Sequence, residues 1–282
     1  MSLRAVIRND CSGAFLRVSQ FLKAIISLGQ EIMEEETADG ILNGSLQIFQ
    51  KKRGYRFSLD SILLSHFVFS KPKTSNIDLG CGSGIIMLIL ARRFPHTTWL
   101  GVEIQEGLAA LAQKNVQLGG LESRIKILCD DARVIKKILP ANSFDSVIFN
   151  PPYRKLKSGR INPQLEKAIA RHEIKGSLKD FLQAALYLLK PGGRVFTIYP
   201  AKRLVELISL FRLCAIEPKR LKLVFSGYFS EAEFVLVEGR SGSSEELKIE
   251  QPLYIYDQDK KYTRELSAIF SELSQFPADG GG

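Results

Sequence analysis

Asp78-Leu79-Gly80-Cys81-Gly82-Ser83-Gly84 decides the reading of this 282-residue chain. Ile77 and Leu79 flank the acid as in a short strand, and Ile85 to Arg92 continue as a helix. Three glycines at alternate positions permit a tight turn and let a ligand approach the backbone closely. A dinucleotide turn would need G-x-G-x-x-G, but here the third glycine comes one residue early and Ile85 holds the expected place. A phosphate loop would need Lys-Ser or Lys-Thr after the glycines, and neither follows. A carboxylate directly before the turn suits a cationic ligand better than a phosphate.

Outward from this turn, short apolar runs alternate with helical segments. Strands are expected near 75–79, 97–103, 124–128, 144–149 and 193–199. Helices are expected near 84–93, 106–118, 132–138 and 178–189. Such alternation predicts a parallel sheet covered on both faces. Its ligand site should lie at the carboxyl ends of the strands, where strand order switches. Further on, Leu221–Phe225 and Glu233–Glu238 read as an antiparallel pair at the sheet edge, Leu253–Tyr256 as a short strand and Tyr262–Leu273 as a helix. Before the turn, Asn43-Gly44 signals a two-residue hairpin within 41–50, and Leu59–Phe69 a helix. Residues 1–36 form an N-terminal helical extension, with Ala14–Met33 as an amphipathic helix. The main domain is 37–276, of which 37–73 covers the ligand site, and 277–282 is a glycine-rich flexible tail.

Composition narrows the class. The chain is 45% hydrophobic, ordinary for a globular protein. Its best apolar run, Phe21 to Leu28, is interrupted by Lys23. It is too short for a membrane span and lacks a small-residue cleavage site. Four scattered cysteines without a CxxC pair, and three histidines, suggest neither a disulfide framework nor a metal site. A reducing cytoplasm is the expected compartment. The net charge of +9 is uneven: residues 151–225 carry 16 Lys and Arg against 5 Asp and Glu, and the rest sums to −2. A basic run of this kind suits phosphate contacts, although a solvated face would look the same.

Three acids close three successive strands. Asp78 precedes the glycine turn, Glu103 ends the second strand with Ile104 after it, and Asp130-Asp131-Ala132 ends the third. A carboxylate at Glu103 can accept both hydroxyls of a ribose. One at Asp131, or at Asp130, can accept from the exocyclic amine of an adenine; either could instead cap the following helix. The GxGxG turn with its leading acid resembles that of class I S-adenosylmethionine-dependent methyltransferases. By that resemblance the fold is a Rossmann-like α/β domain with a mostly parallel seven-stranded sheet, an antiparallel edge strand and helices on both faces. The cofactor would be S-adenosyl-L-methionine, held at Asp78, Gly80, Gly82, Gly84, Glu103, Ile104, Asp130, Asp131, Ala132 and Asn150.

The fourth strand ends in Asn150-Pro151-Pro152-Tyr153. Two prolines stop the ladder and fix the backbone. The tetrapeptide resembles the catalytic motif of methyltransferases acting on a nitrogen conjugated to a ring or carbonyl. Such a nitrogen is a poor nucleophile. The Asn150 side-chain oxygen and the Pro151 carbonyl can accept its two hydrogens, which favours the positively charged transition state. No strong base is required, and alignment supplies most of the acceleration. Tyr153 would stack on the ring that bears the amine.

The wider chain resembles the bacterial tRNA1(Val) adenine-N6 methyltransferases over about residues 38 to 273. The resemblance is carried by Gly54-Tyr55-Arg56-Phe57-Ser58-Leu59-Asp60-Ser61-Ile62-Leu63-Leu64, Ala170-Arg171-His172-Glu173, Glu217-Pro218-Lys219-Arg220 and Pro252-Leu253-Tyr254-Ile255-Tyr256-Asp257. It implies methylation of the adenosine 3′ of the anticodon in tRNA. It also implies that Tyr55, Arg56, Phe57 and Asp60 help close the cofactor pocket. Tyr153, Arg154, Lys155, Lys157, Arg160, Arg171, His172, Lys202 and Arg203 would meet the RNA. A monomer, with no metal and no membrane partner, is expected. Two rivals are a protein-glutamine methyltransferase acting on release factors, which shares the tetrapeptide, and a non-catalytic RNA-binding protein on the same fold.

Overall fold

The computed structural model describes residues 36–51, 59–151 and 176–276. The expected helix Ala14–Met33, Tyr55 to Phe57, Pro152 to His172 and the tail lie outside them. The chain divides into two compact units, residues 1–37 with 51–56 and residues 38–50 with 57–282. The second unit carries the site and is described below.

The main sheet has nine strands. In chain order they are β3 (Ser75–Leu79), β4 (Thr98–Glu103), β5 (Ile125–Cys129), β6 (Phe144–Phe149), β7 (Leu189–Pro200), β8 (Ile216–Phe225), β9 (Ala232–Ser241), β10 (Lys248–Ile249) and β11 (Leu253–Tyr254). Across the sheet the order is β10-β8-β9-β7-β6-β3-β4-β5, with β11 also on β8. Seven of these are long and match the expected sheet; β10 and β11 add two residues each. Only β9 runs against the rest. It is not the outermost strand, as the sequence suggested, because β8 lies beyond it. A separate pair, β1 (Glu36–Ile41) and β2 (Leu46–Lys51), forms the expected hairpin. Its turn is longer than two residues. Leu42, Asn43 and Gly44 are all left-handed, and Ser45 N donates to Leu42 O at 3.1 Å.

Helices α1 (Leu59–Phe67), α2 (Ile85–Arg93), α3 (Glu106–Leu118), α4 (Leu178–Leu188), α5 (Leu204–Leu213) and α6 (Arg264–Ser274) cover the sheet. Alternation along the strands divides the core in two. Ile148, Phe196 and Ile198 pack with α1, α2 and α6 on one face. Ile77, Leu79, Val147 and Phe149 pack with α4 and α5 on the other. Residues 132–137 form a 3-10 turn rather than an α-helix. Ser177 and Asp180 cap α4 reciprocally, which fixes where it begins.

β4 runs against α2 without clearance. A Cβ at Gly101 would overlap Met87 Cε and lie 2.8 Å from Cys81 Sγ, so a larger residue requires these side chains to shift. From β3 the chain winds to β4 and β5 on one side, then returns to β6 and β7 on the other. The reversal falls between β3 and β6, and the crevice above their carboxyl ends is where such sheets bind ligands.

Candidate active site

The glycine turn leaves β3 at Leu79. Gly80, Gly82 and Gly84 have φ of 74°, 57° and 84°, a region closed to most side chains. Gly80 N and Cys81 N both donate to Val102 O, at 2.7 and 3.0 Å, which staples the turn to β4. Asn115 on α3 is buried and holds the turn from behind. Its Nδ2 donates to Ser83 O and Phe49 O, both at 3.0 Å, and its Oδ1 accepts from Phe49 N at 2.6 Å. The turn is thus rigid before any ligand arrives.

Asp78 is fully buried, and neither carboxylate oxygen has a hydrogen-bond partner among the described residues. Its register neighbours are Gly101 on β4 and Ile148 on β6, whose side chains offer no donor. Burial, with Glu103 adding repulsion, pushes its pKa up to about 8. A buried acid with both oxygens unmatched calls for a donor or cation from outside the described residues. The amino and sulfonium groups of S-adenosylmethionine supply such charge, so the residues fit the cofactor expected from the sequence.

Glu103 is 4% exposed at the end of β4. Its Oε2 accepts from Gly82 N at 3.0 Å, and its Oε1 from Gln105 N at 2.9 Å. Oε2 keeps a second lone pair for a ribose hydroxyl, whereas Oε1 also accepts from Gln105 Nε2 at 3.2 Å and would exchange that bond for the other hydroxyl. Ile104 follows it at intermediate exposure.

The two acids after β5 differ. Asp131 caps the 3-10 turn through Arg133 N at 2.9 Å, and its Oδ2 accepts from Arg133 Nη2 and Nε at 2.6 and 2.8 Å. Burial works to raise its pKa, but the hydrogen bonds and charge of Arg133 prevail and hold the carboxyl below its usual range. The capping role weighed for this residue is therefore present. Asp130 accepts from Asp131 N at 2.7 Å with a single oxygen. Both acids stand beside Ala132 at the mouth of β5.

Asn150 follows β6, one strand from the glycine turn, and Pro151 after it is buried. Asn150 Nδ2 lies 3.5 Å from Ser61 Oγ on α1, a long contact that orients the amide. The buried Asp60 beside it accepts from Ser61 N at 2.8 Å. α1 thus meets Asn150 at Ser61, and Tyr55, Arg56 and Phe57 lie outside the described residues. So do Pro152, Tyr153, Arg154, Lys155, Lys157, Arg160, Arg171 and His172.

The described part of the basic run does not form one face. Lys190 pairs with Asp145 at 2.8 Å and Arg194 with Glu238 at 3.4 Å, both towards the start of β7. Arg220 is held by Glu238 and Glu250, and Arg212 by Glu217 and Glu245. Lys202 and Arg203 do stand at the carboxyl end of β7. Arg203 is bound to Glu206 at 2.7 Å and lies 4.7 Å over the Tyr199 ring, whereas Lys202 is 82% exposed. Sequence reasoning missed Asn115, Gln105 and Arg133, and it quoted Ser61 without giving it a role. A buried Asn on an apolar helix face is a detectable signal, since such a side chain must find partners.

Residues 58–210 match the model of the methyltransferase small-domain family. A tRNA1(Val) (adenine(37)-N6)-methyltransferase from Pedobacter heparinus is 31% identical over 164 residues, which cover 58% of this chain and 68% of the relative. One of the same name from Histophilus somni is 30% identical over 239 residues, covering 80% and 93%. The crystal structure of a predicted O-methyltransferase from Agrobacterium tumefaciens aligns with a TM-score of 0.63 at 20% identity. That alignment covers 77% of this chain and 97% of the other, a likeness of fold.

Proposed function

We propose a reaction from one premise: the chain belongs to the methyltransferase small-domain family and to the tRNA1(Val) (adenine(37)-N6)-methyltransferases. The reaction is methylation of the exocyclic N6 of an adenine in tRNA, the adenosine 3′ of the anticodon. S-adenosylmethionine, when bound, supplies an electrophilic methyl group on a positively charged sulfur.

The chain's own residues do the rest. Asp78 offers its two unmatched oxygens to the cofactor's positive charge. Glu103 holds the ribose hydroxyls, and Asp130 or Asp131 accepts from the adenine amine of the cofactor. Asn150 Oδ1 and the Pro151 carbonyl accept the two hydrogens of the target amine. That keeps the nitrogen lone pair out of the ring and eases the growth of positive charge. Tyr153 stacks on the target base. An anticodon-loop base is already exposed and costs less to turn out than a paired one.

One observation carries this reading: Asn150-Pro151 ends the strand adjacent to the glycine turn, across the switch point from Asp78. The test is methyl transfer from labelled cofactor to unmodified tRNA and, separately, to a release factor. Label on N6-methyladenosine in tRNA is the expected result. Label on release factor alone would transfer the assignment to the glutamine-modifying rival. Failure to bind cofactor at all would favour the non-catalytic one. Among the described residues no helix is long and apolar enough to cross a membrane. The protein is proposed to act as a cytoplasmic monomer without a metal. Residues 1–36 are proposed as an extension to the catalytic domain 37–276, and 277–282 as a flexible tail.

A further inference from the structure

The connection between β8 and β9, residues 226–231, is a rigid turn that carries two bare aromatic rings. Ser230 N donates to Gly227 O at 3.2 Å, which makes Tyr228 and Phe229 the central residues of a β-turn. Ser230 Oγ also bridges Gly227, accepting from its N at 3.0 Å and donating to its O at 2.9 Å. Tyr256 N donates to Ser226 O at 2.9 Å and anchors the base of the turn. Tyr254 lies between Phe225, 5.3 Å away, and Tyr228, 4.8 Å away, so the second ring is backed by a stack. Phe229 is 94% exposed and Tyr228 50%. A floppy loop could fold such rings inward; this one holds them out.

The turn shares an edge with the active site. Because only β9 is reversed, β8 runs in the same direction as β6, and both end at the carboxyl edge. Register aligns Phe149 with Thr197, Val237 and Leu221, so Phe225 stands four residues further out along its strand. The lateral separation from β6 is three strand spacings, about 14 Å. Lys202 approaches the same turn, 3.9 Å from Glu231. Both side chains of that pair are more than 80% exposed, so it does little to retain the lysine.

We propose that Phe229, next to Tyr228 in the turn, is a stacking platform for an unpaired tRNA nucleobase a few nucleotides from the target adenine, with Lys202 meeting an adjoining phosphate. This rests on the tRNA reading above. An unpaired base has two apolar faces and an anionic link at its side, and the surface offers a ring and a cation in the same arrangement. Base–aromatic stacking is strong enough for its loss to weaken binding by about tenfold.

The test compares Phe229→Ala and Phe229→Trp with the unaltered protein. In the Ala variant KM for tRNA should rise about tenfold, with kcat within about twofold and thermal stability unchanged. The Trp variant should retain affinity. Its new indole emission should be quenched by an unmodified anticodon stem-loop RNA, against a background of one buried tryptophan, Trp99. Unchanged KM in the Ala variant, or an unquenched indole, overturns the platform. So does an Ala variant that changes only the sedimentation of the protein, for the ring would then be a contact between copies. If the quench occurs but no methyl reaches tRNA, the platform stands and the tRNA reaction fails. If tRNA is methylated equally by all three proteins, the platform fails alone.

Discussion

The same parallel strands end very differently at their two edges. At the amino edge most polar groups are matched among the described residues, with the buried Asn76 Oδ1 an exception. Asp145 accepts from Ser75 N at 2.9 Å and from Lys190 Nζ at 2.8 Å, and Ser70 bonds Thr74 at 2.8 Å. At the carboxyl edge Asp78 is buried without a hydrogen-bond partner among the described residues, three glycines lie in left-handed conformations, and Phe229 stands in water. The buried acid and the exposed ring are unfavourable by themselves and become favourable against a suitable ligand, and the glycines let that ligand approach the backbone. One edge serves the stability of the fold, and the other spends some of it on binding.

Variants at the two edges should therefore separate activity from stability. The largest effect is expected at Asn150. Asn150→Ala should lower kcat by about 10²–10³ while cofactor affinity by calorimetry stays near that of the parent; near-normal turnover would remove its assigned role. Asp78→Asn comes next. Losing a charge-assisted contact should weaken cofactor binding by about 10- to 100-fold, read by the same calorimetry.

Asp78 also predicts a pH dependence. Its folded pKa is raised from 3.8 to about 8, so the folded protein holds a proton that the unfolded chain releases. Stability of the cofactor-free protein should fall as pH rises between those values and level off above about 8. In Asp78→Asn that slope should vanish. Cofactor binding at pH 7 should release close to one proton, visible as a dependence of the binding heat on buffer ionisation. Equal heats in all buffers would show that Asp78 is already ionised.

Gly101→Ala is expected to cost about 1–3 kcal/mol by overpacking, seen as a lower denaturant midpoint. An unchanged midpoint would mean that Met87 moves aside freely. The smallest effect belongs to the amino edge. Asp145→Asn should shift stability by no more than about 1 kcal/mol and leave turnover unchanged. A loss of turnover there would erase the distinction between the edges.

Much of this was legible in the sequence because punctuation bounded it. β3 and β6 match their expected spans, each ended by residues that cannot continue a strand, a glycine turn and a proline pair. α5 was missed because its start carries no capping side chain: Arg203 precedes it without a side-chain cap bond. β7 begins at Leu189 rather than near 193. The Pro191-Gly192-Gly193 stretch looks like a turn but is drawn into the strand, beside a register shift between Phe144 and Ser146. Asp78, Glu103 and Asn150 were proposed as site residues because the expected chemistry asks for acids and an amide at strand ends, and all three do stand at the carboxyl ends of their strands. What the sequence could not show was pairing over distance: that Arg194 and Arg220 would share Glu238. Ion pairs of this kind depend on which strands become neighbours.

The interior position of β9 bears on how the chain assembles as it is made. β8 is synthesised before β9, yet its place in the main sheet is beyond β9, and its other partners, β10 and β11, come later still. A chain released only as far as Phe225 therefore has β7 as a bare border and β8 with no berth. The first five strands of the sheet can form in order of synthesis. The last two long ones must arrive as a hairpin, with the aromatic turn at its tip entering first or last but never separately.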